Sequence, residues 1–284
     1  MSVLSGVRGL LLDLDGVLVL KGAAIPGAAE AMAEIERRGL PYRVVTNTSL
    51  VSRATLAGWG RRQGLDVPPE RILSALSVSA AQAAARFPGR PLFVIASADA
   101  LTEFGGQHVL TAEEADRPGA EAAAVVVGDS PEAATYENLN RAFRLIRGGA
   151  LLIGMHKNRW WLTPAGPTLD SGAYVAGLEF AASVRATIVG KPSAAFFREA
   201  ASDLSAEIDA SSGGRRVVRH ELAMVGDDVW TDVIAAQRAG FRGVFVRSGK
   251  HGQAELDRAA AARRGGGVPD LVAASLADVA AALD

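Results

Sequence analysis

Short apolar runs that end in polar residues recur along this chain, and an amphipathic stretch follows most of them. Residues 10–12 (LLL) stop at Asp13, and residues 222–225 (LAMV) stop at Gly226. Such runs are typical of buried strands, and strands that alternate with helices predict a parallel sheet covered on both faces. Because ligands bind at the carboxyl ends of the strands in such sheets, the polar residues there are the first candidates for a functional site.

The middle of the chain repeats this pattern independently. Apolar runs occur at residues 92–95, 123–127 and 150–153, and the spacing predicts a helix over residues 136–147. A segment of this length is sufficient for a domain of its own. We therefore predict an α/β protein with a Rossmann-like, doubly wound parallel sheet core, formed by residues 1–78 and 185–284. Residues 79–184 are predicted to form an inserted α/β domain.

The composition excludes several classes of protein. The chain has 284 residues, a net charge of -1 and no cysteine, which excludes disulfides, thiolate metal sites and a cysteine nucleophile. No broad basic field is available for nucleic acid. No apolar stretch approaches the ~18 residues of a membrane helix, and no hydrophobic segment of a signal peptide precedes Asp13. We expect a cytoplasmic protein without nucleic-acid or membrane partners.

Two groups of carboxylates stand at predicted strand ends. Asp13 and Asp15 are two residues apart, so both would point to one side of an extended chain. Asp227 and Asp228 follow another strand, and Asp232 lies one helical turn on. Neighbouring carboxylates repel one another unless a cation intervenes. Mg²⁺ prefers such oxygen ligands together with water and a substrate phosphate, so the pattern predicts a magnesium site.

Donors for a phosphate also follow predicted strands. Thr46 offers a hydroxyl, and the backbone N–H groups near Asn47 precede a helix, where anions are favoured. Lys191 offers a positive charge before a helix opened by Pro192. A carboxylate nucleophile, a second carboxylate for acid–base work, a metal and fixed donors are what in-line phosphoryl transfer requires.

Each motif has a structural interpretation when it is taken alone. A lone DxD is most often a solvated turn, and Thr46-Asn47 is compatible with an ordinary helix cap. Their shared position at strand ends favours the catalytic interpretation. Two other classes of protein are alternatives to an enzyme. A signalling receiver domain would keep a stable phospho-aspartate, but its nucleophile normally lies mid-chain, unlike Asp13. A non-catalytic binding protein on the same scaffold would usually lack the nucleophile or the metal carboxylates.

At these residues the sequence resembles the haloacid dehalogenase superfamily of phosphohydrolases. The motifs occur in the family's order, as DLDG, TN, KP and GDD (residues 13–16, 46–47, 191–192 and 226–228). The resemblance implies that Asp13 is the nucleophile and Asp15 the general acid and then base, and that Thr46 and Lys191 bind the phosphoryl group. It further implies that Mg²⁺ is held by Asp13, the backbone carbonyl of Asp15, and Asp227. Asp228 or Asp232 would orient the water shell of the metal.

The inserted domain resembles the large α/β cap of class IIA of this superfamily. We expect its substrate contacts to come from six residues: His156, Asn158, Arg159, Asp170, Ser171 and Gly172. Trp160 and Trp161 are expected to pack into the protein rather than line the site. His108, His220 and His251 are expected to be surface residues.

A large cap favours small phosphorylated molecules or phosphorylated side chains over folded proteins. Phosphate monoesters, phosphoramidates and pyrophosphate are the leading substrate classes, and sugar, nucleotide or glycolate phosphates are the alternatives. The resemblance also implies a homodimer.

Overall fold

A computed structural model of the chain describes residues 4–163, 166–211, 216–262, 264 and 266–283. These residues form two compact units. The core unit contains residues 4–46, 57–73 and 191–283, and the inserted unit contains residues 47–56 and 74–190, within the described ranges. Part of the polar loop suggested by SSGGRR (residues 211–216), namely residues 212–215, lies outside the described residues.

The core unit is organised around a six-stranded sheet. Its central strand, Gly9–Leu12, pairs in parallel with Leu222–Gly226 on one side and Tyr42–Thr46 on the other. From one edge to the other, the strand order is Leu271–Ala273, Arg242–Val246, Leu222–Gly226, Gly9–Leu12, Tyr42–Thr46 and Ile72–Ser74. The order is interleaved in sequence, as expected for a doubly wound sheet, and the three central strands end side by side.

Helices cover this sheet through their apolar faces. In the helix Ala28–Arg37, residues 28, 31, 32 and 35 are buried, and this spacing places them on one face of the helix. The other helices here are Ala194–Ser211, Ala235–Arg238, Gln253–Ala261 and Leu276–Ala282, together with the later part of Arg53–Arg62, whose first four residues belong to the inserted unit. A π-helical turn, Val229–Ile234, precedes Ala235–Arg238. Single turns at Pro69–Arg71 and Arg219–Glu221 and a small hairpin of Val19–Leu20 and Ala23–Ala24 complete the unit.

The inserted unit has its own parallel sheet. Its strand order is Thr187–Ile188, Leu151–Gly154, Ala124–Val127 and Leu92–Ile95, and all three pairs are parallel. Its helices are Ala75–Arg86, Ala98–Leu101, Ala112–Ala115, Tyr136–Arg147 and Ser171–Ala182, with a single turn at Thr102–Phe104. The strands Trp160–Thr163 and Gly166–Leu169 pair in antiparallel fashion as a two-stranded sheet. The assignment of residues 79–184 as a substrate-specificity domain stays a prediction.

One expectation about the inserted unit is wrong. Trp160 and Trp161 are 59% and 41% exposed, although large aromatics were expected to be packed inside. They are neighbours on one strand of this two-stranded sheet, so their side chains point to opposite faces. A ribbon of two strands has too few neighbours to bury both faces.

In the part of the chain that is described, no helix is both long enough and apolar enough to cross a membrane.

Candidate active site

Asp13 continues the central strand of the core sheet and carries the first candidate group. Its backbone N–H donates to the carbonyl of Val225 at 2.9 Å. Its Oδ1 accepts from the backbone N–H of Leu14 at 2.8 Å and from Lys191 Nζ at 2.6 Å. Lys191 Nζ also donates to the carbonyl of Val45 at 3.1 Å, at the end of the adjacent strand. The predicted nucleophile and the predicted phosphate-binding lysine are therefore in direct contact.

Burial opposes the charge on both partners of this pair. It raises the pKa of Asp13 to about 6, although Lys191 acts in the opposite direction. Burial also works against the charge of Lys191, but Asp13 and Asp232 outweigh it and hold the lysine pKa above its ordinary value. Lys191 Nζ lies 2.8 Å from Asp232 Oδ1. One buried ammonium thus bridges two buried carboxylates.

Asp227 and Asp232 complete an acidic cluster with Asp13. One carboxylate oxygen of each lies within 4.8 Å of the others, and all three residues are buried. Burial raises the pKa of Asp227 to about 6, and Asp232 adds to the effect. Burial likewise raises the pKa of Asp232 to about 7, and here Asp13 adds to it. A set of hard oxygen donors that repel one another fits Mg²⁺.

Asp228 has a different role from its neighbour. Its Oδ1 accepts from the backbone N–H groups of Trp230 and Thr231 at 2.8 and 2.9 Å, which caps the π-helical turn. Its Oδ2 pairs with Lys250 Nζ at 2.9 Å. Burial acts against the ionisation of Asp228. Lys250 and the hydrogen bond from the N–H of Thr231 outweigh burial and lower the pKa of Asp228 to about 2. Asp228 therefore anchors the turn that carries Asp232.

Asp15 stands at the edge of the cluster. More than a third of its surface is exposed, yet the protein atoms around its carboxylate remove enough water to raise its pKa, against the attraction of Lys191 and Lys250. Gly16 turns the chain directly afterwards at φ +82°, and its N–H donates to the carbonyl of Val19 at 2.6 Å. An accessible carboxyl with a raised pKa suits a group that gives and takes protons.

Thr46 ends the strand beside Asp13 and is buried. The next residue, Asn47, is the first of the inserted unit. The core unit therefore brings together Asp13, Lys191, Asp227, Asp228 and Asp232, with Thr46 at the adjoining strand end.

The sequences of known proteins identify the family to which this site belongs. A profile described as haloacid dehalogenase-like hydrolase matches residues 10–109, and one described as HAD-hydrolase-like matches residues 188–279. Haloacid dehalogenase-like hydrolase domain-containing protein 2 of Bos taurus is 33% identical over 258 residues, which cover 91% of each chain. This chain belongs to the haloacid dehalogenase-like hydrolase family.

Two further relatives connect this hydrolase with phosphatases. Phospholysine phosphohistidine inorganic pyrophosphate phosphatase of Homo sapiens is 35% identical over 253 residues, covering 87% of this chain and 85% of the relative. The crystal structure of 4-nitrophenylphosphatase from Thermotoga maritima matches all of both chains with a TM-score of 0.83 and 25% identity. The resemblance and the fold predicted from the sequence are confirmed, and the chain is a phosphatase of this family.

In the inserted unit of this hydrolase, His156 joins several predicted substrate residues. His156 Nε2 lies 3.2 Å from Ser171 Oγ and 3.5 Å from Asp170 Oδ1. Asp170 caps the helix Ser171–Ala182 through the N–H of Ser171 at 2.7 Å. Burial lowers the pKa of His156 to about 4 and raises that of Asp170. The imidazole is therefore neutral at pH 7.

The other predicted residues of this unit surround that group. The N–H of Gly172 donates to the carbonyl of Asn158 at 3.0 Å. A Cβ on Gly172 would lie 2.1 Å from that oxygen, so glycine permits this close approach of backbone. Arg159 is exposed, and its carbonyl accepts from the N–H of Asp170 at 3.2 Å.

Sequence reasoning missed two groups of residues in this phosphatase. In the inserted unit, Ser49 Oγ lies 3.1 Å from His156 Nε2 and accepts from the N–H of Asp129 at 2.8 Å.

In the core unit, residues 248–251 (SGKH) contact the acidic cluster. His251, expected to be a surface residue, is only 20% exposed and accepts from the N–H of Val229 at 3.1 Å. The position of residues 248–251 after the strand Arg242–Val246 was the signal that could have identified them.

Proposed function

We propose that this phosphatase is magnesium-dependent and transfers the phosphoryl group of its substrate to Asp13. The observation that carries the proposal is the contact of Lys191 Nζ with Asp13 Oδ1 at 2.6 Å, inside the cluster that Asp13 forms with Asp227 and Asp232. A carboxylate held by a buried ammonium is a positioned nucleophile, and the same ammonium suits an anionic phosphoryl oxygen.

The reaction has two steps. Asp13 attacks phosphorus, the bond from phosphorus to the leaving oxygen or nitrogen breaks, and Asp15 donates a proton to the leaving group. Asp15, now a carboxylate, accepts a proton from water as that water attacks the aspartyl phosphate. The bond between phosphorus and the Asp13 oxygen breaks, which releases phosphate and restores both side chains. Lys191, Thr46 and Asn47 hold the phosphoryl oxygens through charge and hydrogen bonds.

Mg²⁺ would be held by Asp13, the backbone carbonyl of Asp15, and Asp227, and Asp228 or Asp232 would orient its water. When bound, it neutralises negative charge on the phosphoryl oxygens and on the surrounding carboxylates. Three clustered buried carboxylates, each with a raised pKa, support a divalent cation at this place.

The substrates proposed are phosphate monoesters, phosphoramidates or pyrophosphate, carried by small molecules or by phosphorylated side chains. The names of two relatives, a phospholysine, phosphohistidine and pyrophosphate phosphatase and a 4-nitrophenylphosphatase, support this range. Sugar, nucleotide and glycolate phosphates remain the alternative class. The residues proposed to select the leaving group are His156, Asn158, Arg159 and the loop of residues 170–172 (DSG). The homodimer stays a prediction that light scattering can test.

The first experiment measures phosphate release from 4-nitrophenyl phosphate, pyrophosphate and phosphoramidate, with and without Mg²⁺. Asp13→Asn is nearly isosteric but removes the nucleophile, so we expect kcat to fall by at least ~10³-fold, or ~4 kcal/mol of barrier. Asp66→Asn is the control, because Asp66 is a solvent-exposed partner of Arg61. Activity that survives Asp13→Asn would assign the nucleophile to another residue, and turnover without divalent metal would refute the metal dependence.

A further inference from the structure

Four consecutive residues of the core unit, Ser248-Gly249-Lys250-His251, each contact a segment of the acidic site. We call them the 248–251 loop; they follow the strand Arg242–Val246. Ser248 Oγ donates to the carbonyl of Gly16 at 2.6 Å. The N–H of Lys250 donates to Asp227 Oδ2 at 2.7 Å. The loop thus reaches both the turn after Asp13 and the carboxylate of Asp227.

Gly249 lies against Asp227 so closely that it admits no side chain. A Cβ built on Gly249 would lie 2.0 Å from Asp227 Oδ2 and 2.4 Å from Asp227 Cγ. A Cβ on Gly16 would meet the same oxygen at 2.3 Å. The carboxylate of Asp227 therefore lies between two glycines. A side chain at either position would occupy the space that this carboxylate fills.

The remaining contacts of the loop fix the neighbouring residue. Lys250 Nζ pairs with Asp228 Oδ2 at 2.9 Å, and His251 Nδ1 accepts from the N–H of Val229 at 3.1 Å. The two contacts act on Asp228 and Val229, the two residues that follow Asp227, so the loop restrains the turn that enters the π-helical segment.

We propose that the 248–251 loop is the positioning element of the metal site and that Gly249 keeps Asp227 in reach of the cation bound with Asp13. The proposal rests on the magnesium site proposed above. It assigns a function to a loop none of whose side chains needs to touch the cation. A carboxylate ligand must be held to within a few tenths of an ångström for affinity, and the residues around ligands commonly supply this restraint.

The test measures the binding of Mg²⁺ to the metal-free protein by isothermal titration calorimetry, in the absence of substrate. Gly249→Ala is the main variant, since the φ of Gly249 lies outside the left-handed region and the clash with Asp227 is the principal change. We expect its Kd for Mg²⁺ to rise at least ~10-fold. Gly252→Ala is the matched control, because Gly252 has φ −129° and its Cβ would meet nothing closer than Glu255 Oε2 at 4.0 Å. Its Kd should stay within about twofold of the wild type.

Ser248→Ala provides a second variant that adds no atoms and removes only the hydrogen bond to Gly16. We expect a Kd about three- to tenfold higher than that of the wild type, with an unchanged unfolding temperature in EDTA. Wild-type affinity in both Gly249→Ala and Ser248→Ala would overturn the role of the loop while leaving the magnesium site in place. A wild-type protein that binds no Mg²⁺ would overturn both proposals.

Discussion

Lys191 illustrates how a single residue sets the electrostatics of this site. Its side chain is 3% exposed and lies within 2.8 Å of carboxylates from two different segments, Asp13 and Asp232. Removing water from three charged groups is unfavourable, and the attraction between opposite charges offsets that cost only because the geometry is close. The arrangement places a fixed positive charge beside the proposed nucleophile, Asp13, before any substrate arrives, which is how preorganised sites stabilise developing charge.

His156 leads to a prediction about pH. Burial lowers its pKa from 6.5 to about 4, so the unfolded chain takes up a proton below pH 6.5 while the folded chain does not. Stability from this residue is therefore lost as pH falls from about 6.5 toward 4. Because buried carboxylates such as Asp129 have raised pKa values and act with the opposite sign, the effect must be measured as a difference from a variant without the imidazole.

The variant is His156→Gln, studied by urea unfolding at pH 7.5 and pH 5. We expect it to be less stable than the wild type at pH 7.5 and to recover about 2 kcal/mol of that deficit at pH 5. His108→Gln is the control, since His108 is about half exposed. A deficit in His156→Gln that is the same at both pH values would contradict a buried neutral imidazole.

At the level of elements, the ends of strands and helices determine where the polar groups of this protein lie. The helix Tyr136–Arg147 begins after Thr135, whose hydroxyl accepts from the N–H of Asn138 at 3.2 Å. Only one face of this helix is buried, through Ala142, Leu145 and Ile146, so its N-terminal turn depends on the cap.

We therefore expect Thr135→Ala to lower the free energy of unfolding by about 1 kcal/mol. Thr135→Ser keeps the hydroxyl and should retain most of that stability. Urea unfolding followed by circular dichroism measures both variants. Equal losses in the two variants would mean that the methyl group of Thr135, rather than its capping oxygen, supports the helix.

At the level of the whole molecule, charge repulsion at the site links metal binding to stability. Asp227 is buried and has a raised pKa because of burial and the proximity of Asp232. Without a cation, these carboxylates lie close together in the folded protein, and their mutual repulsion lowers the free energy of unfolding. A ligand that binds only the folded state stabilises it by about 2.7 kcal/mol at a concentration of 100 times its Kd.

We expect saturating Mg²⁺ to raise the unfolding temperature by about 5 °C or more and EDTA to reverse the shift. Asp227→Asn should be at least as stable as the wild type in EDTA, because a neutral amide relieves the repulsion, and it should show a much smaller shift with Mg²⁺. Differential scanning calorimetry measures both temperatures. An equal shift in the wild type and in Asp227→Asn would exclude Asp227 as a ligand.

Local patterns were sufficient to predict much of the fold. The predicted helix at residues 136–147 and the strand at residues 92–95 have the bounds seen in the structure, because their signals lie within one turn or one short apolar run. The clustering of Asp13 with Asp227 likewise followed from the rule that parallel strands end at one edge of a sheet, while the catalytic roles of the site residues stay predictions. The exposure of Trp160 and Trp161 was predicted wrongly, because burial depends on how many neighbouring strands cover a residue.

The sequence by itself determined the α/β class, the family and the set of carboxylates at the strand ends, since all three depend on residue types at short spacings. Only the tertiary structure decided that Lys191 bridges Asp13 and Asp232, that His156 is neutral among Ser49, Asp170 and Ser171, and that Gly249 lies against Asp227. These facts depend on contacts between residues far apart in the chain and on the loss of water around them. Neither the contacts nor the burial can be deduced from the local order of residues.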